Sequence, residues 1–169
     1  ANLSNQLSPT NAEHVRRQLG ARLRLIVDGG QSQVGIESTV VDVSAGPPRV
    51  LRPGMIHEQT LAAVTGELAR GTHPAPTALR SPGLLKKHYA PRAALVVLSW
   101  TNEQELLAGL NARGIAPATA HVVAHTRVPS DTGLAGVSVI PHDAEAFARA
   151  LYGELHRCDE LGVATIVVE

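Results

Sequence analysis

Arg52 ends the short apolar run RVLR and stands directly before Pro53 and Gly54. A guanidinium fixed at a strand end can grip phosphate oxygens through two parallel hydrogen bonds. Ligands of open α/β sheets collect at such ends, although a solvated surface arginine fits the same pattern. Ser38, within GIESTVVD, carries a hydroxyl able to donate to or accept from a small polar substrate. In a strand it faces away from Glu37 and Thr39, either into a cleft or toward solvent. Asn2 and Ser8 flank the start of an expected helix, where free N–H groups and the positive dipole end favour an anion. Helix capping by Ser8 or Thr10 is the alternative. A further candidate is SPGLLKKHYAP, residues 81 to 91, a proline-bracketed segment that holds Lys86, Lys87 and Tyr89.

Other residue types carry less chemistry. Gly29 and Gly30 lie between apolar runs without dinucleotide-fingerprint spacing and read as turn glycines. Among eight histidines, His121 and His125 are four apart in an expected strand, where that spacing does not converge. The single cysteine offers no thiolate site, so no metal held by the protein is expected. No Ser-His-Asp order or carboxylate pair stands out. Asp28, Glu37 and Asp42 are the acids nearest the expected cleft, and all three are left outside the expected site.

The elements that must position these groups follow from the hydrophobic pattern. A capping box at Thr10 and Glu13, the period of Ala12, Val15 and Leu19, and a left-handed Gly20 predict a helix over 10–19. Strands are expected at 23–27, 36–43 and 49–52, followed by a helix with Leu61, Val64 and Leu68 on its buried stripe. Beyond a proline-rich stretch, a buried strand at 94–98 precedes a helix capped by Thr101 and Gln104. Strands at 120–125, 137–140 and 164–168 surround a helix capped by Asp143 with Phe147, Leu151, Leu155 and Cys158 on one stripe. Strands alternating with helices imply α/β architecture with an open, largely parallel sheet.

Composition narrows the function classes. With 169 residues, 44% hydrophobic, the chain can bury a core. Fifteen basic residues balance fifteen acidic ones, so no overall field attracts nucleic acid or an anionic membrane. Four aromatic side chains are too few for a base-stacking surface of the usual kind. No stretch is long and apolar enough for a membrane span and no signal peptide is evident, which makes the cytoplasm the default.

Taken in order, ANLSNQLSPT, VDGGQSQVGIESTVVDVS, RVLRPGMI and SPGLLKKHYAP resemble the two-domain form of the YrdC-like family, the L-threonylcarbamoyladenylate synthases. The resemblance implies that residues 1–70 are the C-terminal part of a YrdC-like twisted-sheet catalytic domain. It makes 71–93 a linker and lid, and 94–169 a small Rossmann-like domain, incomplete at its C-terminus. It implies condensation of L-threonine, bicarbonate and ATP to threonylcarbamoyl-AMP and pyrophosphate, in tRNA threonylcarbamoyladenosine synthesis. Ser8, Arg52, Tyr89 and Asn2 are then expected at ATP and Ser38 at L-threonine, with Mg2+ arriving on ATP and tRNA-modifying proteins downstream. HYAP matches the family better than Leu84, Leu85 and Lys86 do. The family's basic motif does not occur in the sequence, so a fragment with little catalysis of its own is expected. The rival reading is a non-catalytic nucleotide- or RNA-binding α/β module.

Overall fold

A computed structural model describes residues 2–44, 46–69, 89–130 and 133–169. Its clearest unit is a four-stranded, all-parallel sheet in the order β3-β6-β4-β5. β3 spans Ala94–Val97, β4 Ala120–Ala124, β5 Gly136–Val139 and β6 Thr165–Val168. Period-two alternation divides the side chains of the central strands between two helices. Ala120, Val122, Ala124 and Val167 pack with Leu106 and Leu110 of α3 (Glu103–Asn111). On the other face, Val123, Ile166 and Val168 meet Leu155 and Cys158 of α4 (Ala144–Leu161). The expected stripe on α4 is therefore present, and Asp143 caps the helix by accepting from the Glu145 and Ala146 N–H groups.

Two expectations in this region need correction. The run at 94–98 is the edge strand of the sheet and not a buried one, with Val97 70% exposed while Leu98 packs inward. The α3 cap is Asn102, whose side chain accepts from Glu105 N–H. Glu105 in turn accepts from the backbone and hydroxyl of Thr101, so the capping residue is one later than the spacing predicts.

The first region departs further from expectation. α1 covers Ala12–Leu19, capped by Asn11 through His14 N–H. Thr10 instead faces His14 Nδ1, and Gly20 is right-handed, continuing into a 3-10 turn. The apolar run at 23–27 forms no strand, and Leu25 and Val27 are 78% and 81% exposed. β1 shortens to Val40–Asp42 and pairs antiparallel with β2, Arg49–Arg52. The expected α-β-β-β-α order becomes α-β-β-α. α2 (Glu58–Thr65) stops at Gly66, which has φ 86°, so Leu68 lies beyond it and its Val64 faces solvent. Most of the expected linker, with Lys86 and Lys87, lies outside the described residues.

α4 joins the two regions. Leu7 packs into the α4 side of the sheet core, worth about 2 kcal/mol of transfer free energy. Arg149 Nε donates to Gln33 O over 3.0 Å. Gly35 lies directly on the helix backbone, where an added Cβ would overlap the Arg149 carbonyl oxygen and sit 2.7 Å from that of Ala148. Neither the Gly35 backbone nor the helix can yield cheaply. We expect Gly35→Ala to destabilise this junction by about 1–3 kcal/mol, seen as a lower urea midpoint, whereas Gly29→Ala, with open space around it, leaves the midpoint unchanged.

Candidate functional site

The strand break at 36–39 creates the site. Gly54 presses against it so closely that a Cβ would lie 2.5 Å from both Glu37 O and the Ser38 carbonyl carbon. Thr39 Oγ1 donates to Ile56 O and accepts from Ile56 N–H, each over 3.0 Å, which fastens the turn after β2 to the segment before β1. Arg52 is thereby held over Ser38. Its Nε donates to Ser38 O at 3.1 Å, Nη2 to Ser38 Oγ at 3.0 Å and Nη1 to the Tyr89 hydroxyl at 3.2 Å. The guanidinium carbon lies 5.7 Å from the Tyr89 ring centroid, within cation–π range.

Glu37 completes the network. One carboxylate oxygen is 3.6 Å from Arg52 Nη2 and the other accepts from Ser8 Oγ. Strand alternation predicts that Glu37 faces away from Ser38. Because 36–39 is irregular, both side chains reach the same guanidinium, and Glu37, which the sequence leaves outside the expected site, lies in contact with it. The arrangement joins Ser8, Ser38, Arg52 and Tyr89 as one cluster. Asn2 is no part of it, since its amide donates to Leu3 O and Gln6 O within its own turn. Tyr89 arrives through left-handed backbone, φ 48°, beside a parallel bridge between Gln6 and Ala90. For a residue with a bulky side chain this conformation is strained.

α4 borders the same cluster. Burial pushes the Tyr152 hydroxyl up to about 12, with Glu37 and Tyr89 adding to the shift and Arg52 opposing it. A neutral tyrosine therefore faces the ion pair, a neighbour that spacing did not reveal. One turn on, His156 Nε2 lies 3.0 Å from Ser8 O. A carbonyl only accepts, so this nitrogen carries hydrogen. The His156 ring stacks on His14 with centroids 3.8 Å apart, and Thr10 N–H donates to His14 Nδ1.

A separate polar group lies inside the parallel-sheet region. Ligand atoms of His121, Glu154 and Cys158 lie within 4.8 Å of one another, the one such group of potential metal ligands among the described residues. Sequence spacing gives no sign of this group, because its members lie on β4 and α4 and meet only across the sheet and helix. Arg157 Nη2 is 2.7 Å from Glu154 Oε1 and 3.2 Å from His121 Nε2, so a cation already neutralises the cluster. Burial, assisted by Glu154, pushes the Cys158 thiol up to about 12.

Comparison with known proteins gives the following. Residues 54–169 match the family described as threonylcarbamoyl-AMP synthase, C-terminal domain, and residues 1–54 the family described as telomere recombination. A threonylcarbamoyl-AMP synthase of Pyrococcus abyssi is 31% identical over the whole chain and half of its own length. One from Bacillus subtilis is 41% identical over 62% of this chain and 31% of its own. The solved structure of P. abyssi Sua5 complexed with L-threonine superposes with TM-score 0.78 at 30% identity, covering 99% of this chain and 50% of that one. A Sua5 variant from the same organism, with histidine and tyrosine at consecutive positions both changed to alanine, gives 0.79 at 30% identity, covering 99% and 49%. The chain thus spans at most about half the length of these relatives.

Protonation should loosen the fold in two stages. Burial lowers the pKa values of His14 and His121 below the usual 6.5, aided respectively by His156 and Arg157. The native state then binds fewer protons than the unfolded chain, so the stability these groups contribute is complete above about pH 6.5 and is lost as pH falls below it. Burial opposes ionisation of Glu154, yet hydrogen bonds from Arg157 and Ser138 hold its pKa below the usual 4.5. That contribution persists to lower pH and disappears below about 4.5. Thermal melts across this range should fall in both windows, and His14→Gln, which keeps an acceptor for Thr10, should shrink only the upper one, leaving there the part carried by His121.

Proposed function

The chain belongs to the family of the threonylcarbamoyl-AMP synthase C-terminal domain, and from that premise we propose that it serves the synthesis of threonylcarbamoyl-AMP from L-threonine, bicarbonate and ATP. The observation that carries this reading is the anchored Arg52 guanidinium, held by Ser38, Tyr89 and Glu37 at the edge of β2. The L-threonine complex of the P. abyssi relative supports threonine as substrate. The consecutive histidine and tyrosine changed in the relative's variant have their counterpart type here in a single pair, His88-Tyr89, which supports a role for Tyr89.

In this mechanism the threonine amine adds to bicarbonate with loss of water, giving a carbamate. A carbamate oxygen then attacks the α-phosphorus of ATP and the bond to the β-phosphate breaks, releasing pyrophosphate. No covalent enzyme intermediate is needed, so positioning and charge neutralisation supply the catalysis. Arg52 offers a guanidinium already oriented before substrate arrives and stabilises charge on the phosphate oxygens. The Ser38 hydroxyl accepts from Arg52 and keeps its own hydrogen for an acceptor on L-threonine. Ser8 and Tyr89 face the nucleotide, while Glu37 holds Ser8 and Arg52 in register. Mg2+ enters with ATP, bound by its phosphates.

Residues 1–70 then belong to the catalytic domain, 71–93 to the linker and 94–169 to a Rossmann-like domain. The product passes to tRNA-modifying proteins in the cytoplasm. Among the described residues no helix is long and apolar enough to cross a membrane.

In the complete gene product, Arg52→Ala should lower threonine-dependent pyrophosphate release on the order of 10²-fold, and unchanged release would remove Arg52 from the mechanism. Tyr89→Ala should weaken ATP binding about tenfold, a loss of about 1.4 kcal/mol, measured by equilibrium titration. Equal affinity for the two proteins would show that Tyr89 only packs against the cluster.

A further inference from the structure

The parallel sheet ends in a feature that the proposed reaction does not use. After β4, three consecutive backbone N–H groups, those of His125, Thr126 and Arg127, turn toward one point. The Glu169 side chain fills that point: Oε2 accepts from His125 at 2.8 Å, Thr126 at 2.7 Å and Arg127 at 2.9 Å, and Oε1 from Arg127 at 3.0 Å. Glu169 N–H still continues the ladder by donating to Val123 O, so its carboxylate takes over where strand pairing stops. Burial opposes its ionisation, but the three N–H groups and His125 hold its pKa below the usual carboxylate value.

Successive N–H groups converging on one oxyanion form a nest, the backbone arrangement that also receives phosphate groups. This nest lies outside the carboxyl ends of parallel strands, where open α/β sheets bind ligands. Its rim is suited to an anion. Thr126 Oγ1 lies 2.8 Å from His125 Nδ1 and 3.0 Å from His142 Nδ1. The two imidazoles stack with centroids 5.2 Å apart. Thr126 and Arg127 are exposed, which places the rim at the surface.

We propose that this nest is a phosphate-binding site of the parallel-sheet region and that Glu169 is its internal occupant, displaced when an external phosphate group binds. A tethered carboxylate competes at an effective concentration in the millimolar range, so the unmodified chain binds phosphate weakly. Trp100 reports on the site, since its Nε1 donates to Arg127 O at 2.9 Å and it is the one tryptophan of the chain.

Tryptophan emission is to be followed during titration with inorganic phosphate, and separately with AMP, at constant ionic strength, for the unmodified chain, Glu169→Gln and Glu169→Ala. Thermal melts with and without each anion provide a second readout that also verifies folding. Both variants should bind about tenfold or more tightly than the unmodified chain, because the charge-assisted hydrogen bonds of the competitor are gone. Saturation by both anions identifies the phosphate group itself as the ligand, and saturation by AMP alone identifies a nucleotide phosphate. Flat titrations and unshifted melts in folded variants would overturn the proposal. So would equal affinity of all three proteins, which would show that Glu169 does not compete for the nest.

Discussion

α4 carries two loads at once, and the remaining contacts depend on its doing so. One stripe, with Leu155 and Cys158, seals the parallel sheet. Neighbouring positions receive the first region through Gly35 on the helix backbone, Arg149 on Gln33 O and His156 on Ser8 O. The β1-β2 ribbon has only two strands, and such a ribbon alone is marginal in water. Its register with Ser8 is maintained because a long, well-capped helix provides a stiff surface to rest on. Packing of the second region thus determines the geometry of a cluster whose main side chains come from the first.

The Arg52 cluster illustrates what such support allows. A long flexible cation ordinarily loses side-chain entropy when it is ordered by one partner, which is why isolated surface pairs contribute little. Here contacts to Ser38, Tyr89 and Glu37 fix the guanidinium plane together. The cost of orientation is met during folding, which is the physical content of preorganisation. Strained Tyr89 backbone belongs to the same account, since the Gln6–Ala90 bridge and the Arg52 contact hold a conformation that the local chain would otherwise avoid.

The parallel region was largely legible in the sequence because its strands are β-branched runs and its helices amphipathic, with periods differing enough to separate them. Position within the sheet was not legible. ALVVL reads as buried from composition, yet β3 is at the edge, and only the strand order reveals it. In the first region, period two extended through IESTVVDV and separated Glu37 from Ser38. The close approach of Gly54 interrupts the strand there, and one glycine among fifteen gives no local sign of its neighbour. Caps shifted by one residue because Asn11 and Asn102 compete with threonine next to them and make the better bond. Tyr152 and His156 reach the site from a helix far along the chain from Ser8, Ser38 and Arg52, a proximity that no periodicity encodes.

The run LRLIV shows why propensity and structure part company in this chain. A strand needs a partner for its backbone donors and acceptors as well as a face to bury. Among the described residues no strand pairs with 23–27, and Leu25 and Val27 remain exposed. The segment is β-forming by composition but lacks the context that converts propensity into pairing. In β4 the same kinds of side chain are flanked by strands on both edges and covered by helices on both faces, and they are fully buried. Local sequence therefore sets which segments can become strands, while the availability of neighbours decides which do. By that criterion Leu25 and Val27 mark a run of strand-forming residues with no paired neighbour among the described residues.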